Sequence, residues 1–378
     1  MRTARAATAH PERLVSSSPL AVTLAPFLEA VSAQMRASNR EETINTCRRP
    51  HQVAKGCDVP FKTLRHWVEY ALSKLAIGVM RMAGVDASAH AFAWLSRKIG
   101  PRTRRHQQSL KNLAIAFPHK SAAEHARIAL AMWDNMGRVA AELILVDRIL
   151  ADPARIAIAG TEKLEAAVRN REPQVGVTLH TGNWELAIWP VKKLGGDPAG
   201  VYRPLPNPHI DRLVRTRRSA LFSGGLFAKG PEEGPRAAKV MIDFVRNGGW
   251  LGFVADHVDR RGVPVDFLGQ TIRVTHVPAL IARHTNAQVW VARTIRIGTE
   301  SRFRIDAKKL DLPVSEDKRE DACHATQMIF SQFEAWIREH PEQWQWWNIR
   351  VPREAPRTKA PAAATPSQAR RTPQHVTA

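Results

Sequence analysis

The chain has 378 residues, 44% hydrophobic and 24% charged, ordinary proportions for a globular protein long enough to bury a substantial core. Its 56 Lys and Arg outweigh 35 Asp and Glu, and the resulting +21 suits nucleic acid, anionic lipid head groups or an acidic protein without choosing among them. Cys47, Cys57 and Cys323 lack metal-ligand spacing and cannot pair off evenly, and no run of about 18 uncharged apolar residues marks a conventional membrane span.

Residues 1–58 are polar, basic and patternless. Leu20 to Leu28 follows Arg2, Arg5 and Arg13, but Pro26 and Glu29 interrupt it, so it makes a poor secretion signal. The expectation is a disordered leader, with Met35 an alternative start. The tail over 351–378, rich in Pro, Ala and Arg, is equally unable to bury a core. Residues 59–350 are left as the folded unit.

That unit opens with a helix expected at 61–84, where Phe61, Leu64, Val68, Ala71, Leu75 and Met82 form an apolar stripe widened by Trp67, Leu72 and Val79. Such a stripe packs on a core or lies in a membrane interface, and two uses remain open. A second long helical region is expected from Ser121 to Leu150. β-rich runs then appear at 174–179, 199–203, 250–255 and 288–295, with helical patterns at 184–195, 208–222, 234–246 and 277–285. This alternation predicts an α/β fold, a mostly parallel sheet flanked by helices. Reactive groups in such folds gather at the carboxyl ends of the strands.

His180 follows the first of these strands, and Thr181-Gly182-Asn183 reads as a turn into a helix carrying Glu185. A carboxylate folded back onto one ring nitrogen would leave the other free to take a proton from a hydroxyl. The bland alternative is a chance pair, with Glu185 favouring a helix N-terminus. No second histidine stands at zinc-binding helical spacing, so no metal is expected. Arg203 ends the next strand, and Asp256 and His257 end the third. Three strands thus deliver ionisable groups to one edge.

Asn112-Leu113 with Phe117-Pro118, His180 through Glu185, Tyr202-Arg203-Pro204 with Asn207-Pro208, Asp256-His257 with Phe267-Leu268-Gly269 and Thr275, and Pro341-Glu342-Gln343-Trp344 follow one another in an order that resembles the lipid A biosynthesis lauroyl/myristoyl acyltransferases. These lie within the wider glycerolipid (lysophospholipid) acyltransferase group. The resemblance spans about residues 61–350 and departs at Trp346-Trp347-Asn348-Ile349-Arg350, where many members carry a His-Arg pair.

The resemblance implies a glycerolipid-acyltransferase-like fold with a membrane-apposed N-terminal helix. It implies transfer of a fatty acyl chain from acyl carrier protein to a hydroxyl of a lipid A precursor, without a cofactor, at the cytoplasmic face of an inner membrane. His180 would be the base and Glu185 its orienter, with Arg203, Asn207, Asp256, His257 and Thr275 as substrate-binding candidates. Acyl carrier protein, the acceptor's phosphates and an anionic membrane surface would all suit the charge. Other readings are a different lipid acceptor, a thioesterase using the same pair, or a basic nucleic-acid-binding protein. Against the last, aromatics are only 7% and no zinc-finger or helix-turn-helix pattern occurs. The Arg215 to Arg218 run is expected to be a solvated face or a head-group contact.

Overall fold

The computed structural model describes residues 59–349 except 161 and 229–233, so the expected leader and tail lie outside the described residues. In chain order the helices are α1 (Val59–Ala83), α2 (Val85–Ile99), α3 (Arg104–Ala116), α4 (Ala122–Ile144), α5 (Val146–Leu150), α6 (Glu162–Arg169), α7 (Trp189–Lys193), α8 (Pro208–Arg218), α9 (Gly234–Arg246), α10 (Val277–Thr285) and α11 (Lys318–Glu339). The strands are β1 (Ile156–Ala159), β2 (Gln174–Thr178), β3 (Pro198–Tyr202), β4 (Gly225–Ala228), β5 (Trp250–Val254), β6 (Val258–Phe267), β7 (Gln270–Val274), β8 (Gln288–Arg296) and β9 (Phe303–Leu310).

Seven strands form one sheet in the order β1-β9-β8-β2-β5-β3-β4. β8, β2, β5, β3 and β4 run parallel, while β9 turns back antiparallel to β8 and carries β1 parallel to itself. The four expected strands are the β2, β3, β5 and β8 of this sheet. Their near-continuous apolar runs match burial under helices on both faces. One face packs Val175, Val177 and Leu251 with Leu113, Met132, Phe330, Phe333, Trp344 and Trp346. A second cluster joins Ile144, Leu145 and Ile149 to Leu186, Leu221 and Ile305.

α4 starts where a capping box predicts: Ser121 Oγ accepts the Glu124 amide, and Glu124 accepts the Ser121 amide in return. The β6–β7 hairpin is less legible. Leu268 and Gly269 form its turn with φ of 52° and 77°. A left-handed leucine is costly, yet Leu268 is fully buried and its amide donates to Glu334 Oε2 at 2.7 Å. Burial outweighs local preference there.

α1 forms as expected, but its apolar stripe does not pack on the core. Leu64, Val68, Leu75, Val79 and Met82 are exposed, Met82 at 89%, whereas Ser73, Ile77 and Met80 are buried. The neighbours decide this orientation. Asn207 at the head of α8 donates to the His66 carbonyl and to Glu69, and Arg81 pairs with Asp147 of α5. Among the described residues no helix is long and apolar enough to cross a membrane.

Candidate active site

β2 and β5 are paired in register, Thr178 opposite Val254, and the Ala255 amide donates to the Thr178 carbonyl. Carried two residues further, this ladder sets His180 against Asp256 where both strands end. Asp256 is fully buried. Its Oδ1 meets His180 Nδ1 at 2.6 Å, and its Oδ2 accepts the His180 amide at 2.9 Å and the Trp344 indole N–H at 2.7 Å.

Burial alone would raise the Asp256 carboxyl. The charge and hydrogen bonds of His180, helped by His257, overcome it and hold the group well below the usual carboxylate range. A carboxylate facing Nδ1 places the proton there and leaves Nε2 as a lone-pair acceptor. Nε2 has no hydrogen-bond partner among the described residues, and the His180 side chain is 13% exposed. The rings of Trp184 and His257 stand edge-on to the imidazole at 4.8 and 4.5 Å, and His257 is itself exposed. The partly exposed imidazole is therefore flanked by two aromatic rings.

Glu185 does not occupy the expected place. The turn at 181–183 carries it into a 3-10 segment, Trp184–Ile188, where Arg218 Nε and Nη2 grip its two oxygens at 2.9 and 2.5 Å. No hydrogen bond joins Glu185 to His180 among the described residues. Burial would lower the Arg218 guanidinium, but the Glu185 charge and hydrogen bonds raise it, so it stays cationic. The expected solvated face therefore does not include Arg218. Ile210, Val214 and Arg218 are buried at spacings of four on α8, and that periodicity was the available signal.

The other candidates disperse. Asn207 caps α8, its Oδ1 accepting the His209 and Ile210 amides, and its amide group ties down α1. Thr275 Oγ1 accepts the Val277 amide at the start of α10. Arg203 is partly buried just beyond β3. Among the described residues no cluster of three or more His, Cys, Asp or Glu side chains could hold a metal.

Beneath the 181–183 turn lies a buried polar network that the sequence did not announce. Arg296 on β8 makes two contacts with Glu142 of α4, at 2.5 and 2.9 Å, and Asn183 Nδ2 and Ser301 Oγ add to the same carboxylate. Asn135 accepts from Arg296 and donates to the Gly182 carbonyl. Gly182 itself has φ 53°, and a Cβ there would lie 1.9 Å from the Thr294 carbonyl oxygen. Gly182→Ala is expected to cost more than the left-handed penalty of about 1–2 kcal/mol, because the turn must also move off β8. A denaturant midpoint near wild type would show that the turn is not held this tightly.

Set beside known proteins, the chain is an acyltransferase. Residues 55–351 match the bacterial lipid A biosynthesis acyltransferase family, and the chain belongs to it. It is similar to the phosphatidylinositol mannoside acyltransferase of Mycobacterium tuberculosis, 27% identical over 293 residues that cover 75% of this chain and 87% of that one. The protein of the same description from Mycolicibacterium smegmatis is 27% identical over 167 residues, 44% of this chain and 52% of the relative.

Proposed function

We propose that this acyltransferase moves a fatty acyl chain from an acyl-carrier-protein thioester to a hydroxyl of an anionic membrane glycolipid, with His180 as general base. The supporting observation is the 2.6 Å contact of His180 Nδ1 with buried Asp256, beside an Nε2 with no hydrogen-bond partner among the described residues. Nε2 takes the hydroxyl proton as the oxygen attacks the thioester carbonyl. The tetrahedral adduct collapses to an ester, and the departing thiolate takes the proton back from the imidazolium. Asp256 stays ionised throughout and balances the positive ring. Glu185, held by Arg218, keeps the turn and α8 together behind the site, and Arg203 and His257 contact the substrates.

The acceptor in this reading is a lipid A precursor, in line with the family. A mannosylated phosphatidylinositol is the second reading, and the similarity to the mycobacterial phosphatidylinositol mannoside acyltransferases favours it. Both acceptors are anionic glycolipids that offer a sugar or acyl hydroxyl. The enzyme works at the cytoplasmic face of the inner membrane, where the outward stripe of α1 enters the lipid interface and exposed Arg65 and Lys74 meet its negative potential.

The test incubates wild type and His180→Ala with labelled acyl-carrier-protein thioester and each acceptor in turn. Wild type should yield a lipid heavier by one acyl chain, and the variant should be slower by about 10²–10⁴-fold, the usual worth of a general base. Thioester loss without acylated lipid would replace the reading with a hydrolase. Equal rates for the two proteins would remove His180 from the chemistry.

A further inference from the structure

We infer that Trp344 is a positioning residue for this reaction, its indole N–H fixing the Asp256 carboxylate so that His180 Nε2 stays aimed at the acceptor hydroxyl. The inference rests on the reading of His180 as the general base.

An aspartate carboxylate turns readily about its last torsion. At Asp256 that freedom is removed by two donors on one oxygen, the His180 amide and the Trp344 indole, while the other oxygen is left to Nδ1. The indole cannot follow a rotating carboxylate. Trp344 has no exposed surface, and the rings of Phe267 and Trp346 stand nearly perpendicular to it at 5.8 and 4.9 Å.

The backbone around Trp344 holds the other half of the pair. Trp344 bridges to Thr181, the Gln345 amide donates to the His180 carbonyl, and the Gly182 amide donates to the Gln343 carbonyl. Gln343 also clamps Arg296 of β8, Oε1 accepting its amide and Nε2 donating to its carbonyl. One segment thus fixes both the main chain of the histidine and the carboxylate behind its ring.

A buried indole needs a hydrogen-bond partner wherever it sits, so mere structural use is the competing explanation. Trp290 supplies the comparison: it is 3% exposed, and its Nε1 donates to Gln174 Oε1 at 2.7 Å, in a cluster with Leu164 and Trp250. Both tryptophans lose one buried hydrogen bond when replaced by Phe.

The experiment measures kcat, KM and melting temperature for Trp344→Phe, Trp290→Phe and His180→Ala, with the His180 Nδ1 proton followed in nitrogen-15-histidine spectra. Trp344→Phe should lower kcat by about 10- to 100-fold, the effect of one hydrogen bond to a charged group, with KM kept and the Nδ1 proton resonance displaced. Trp290→Phe should lower the melting temperature and spare kcat. If Phe at 344 does not fold, a 3-benzothienylalanine at that position removes only the N–H and should show the same kcat loss. Wild-type kcat in a folded position-344 variant, or an equal kcat loss in Trp290→Phe, would overturn the positioning role alone. Turnover retained by His180→Ala would overturn the reading beneath it.

Discussion

Asp256→Asn is expected to lower kcat by about 10³–10⁴-fold with the fold intact, comparable to the same substitution in a serine-protease triad. The reason lies in the donors around the side chain. The Oδ2 position accepts two N–H groups, from the His180 backbone and from Trp344, so the amide oxygen of an asparagine must sit there. Its NH₂ then faces Nδ1, which becomes the acceptor. The ring proton moves to Nε2, the atom that receives one in the proposed mechanism. Asn would preserve shape and packing while fixing the wrong tautomer. The measurement is kcat at saturating thioester, with circular dichroism to confirm folding, and near-wild-type turnover would mean that Asp256 does not govern the base.

Acid should be a weak lever on this pair. A carboxylate depressed in the folded state contributes stability above its unfolded value and loses it as pH falls through the lower folded one. With Asp256 held well below the usual range, the contact survives mildly acidic conditions.

Glu142→Ala is expected to have the largest effect on stability, about 3–5 kcal/mol by equilibrium denaturation, as for breaking a buried ion pair from one side. Glu142 is fully buried and receives Arg296, Asn183 and Ser301. Its loss leaves a guanidinium enclosed without a counter-charge and releases Asn183, the residue that leads the turn after His180 into Glu185. Removing both charges with Glu142→Leu and Arg296→Met should recover part of the loss, because no orphaned charge then remains. A Glu142→Ala penalty below about 1 kcal/mol would indicate that water reaches the pocket and that the pair is not closed off.

The strands that read clearly were those whose residues are buried on both sides. Val175, Val177, Leu251, Val289 and Val291 are buried on one face and Trp250 and Trp290 on the other, and these apolar runs give β2, β5 and β8 away. β1 and β4 were missed because they are edge strands of four residues, too short to show a pattern, and β9, which lies inside the sheet between β1 and β8, was missed because it carries charge. In β9, Arg304, Asp306, Lys308 and Lys309 interrupt the pattern. The helices at 234–246 and 277–285 were read to the residue. The region 184–195 instead divides into a 3-10 turn and the short α7, since Pro190 interrupts the hydrogen-bonding pattern.

What the sequence by itself determined is the alternating α/β order, the seat of His180 at a strand's carboxyl end, and the arrival of Arg203 and Asp256 at the same edge. These follow from periodicity and turn chemistry, which are local. Only the tertiary structure decided that Asp256, 76 residues away, holds the imidazole while Arg218 takes Glu185, and that Trp344 closes the circle from the far end of the fold. Strand register and the face a helix turns inward set those pairings. The same holds for α1, whose apolar stripe leaves packing on the core and exposure equally open until its neighbours are in place. Proximity along the chain made Glu185 the natural partner for His180, but a parallel ladder brings together residues that local spacing keeps far apart.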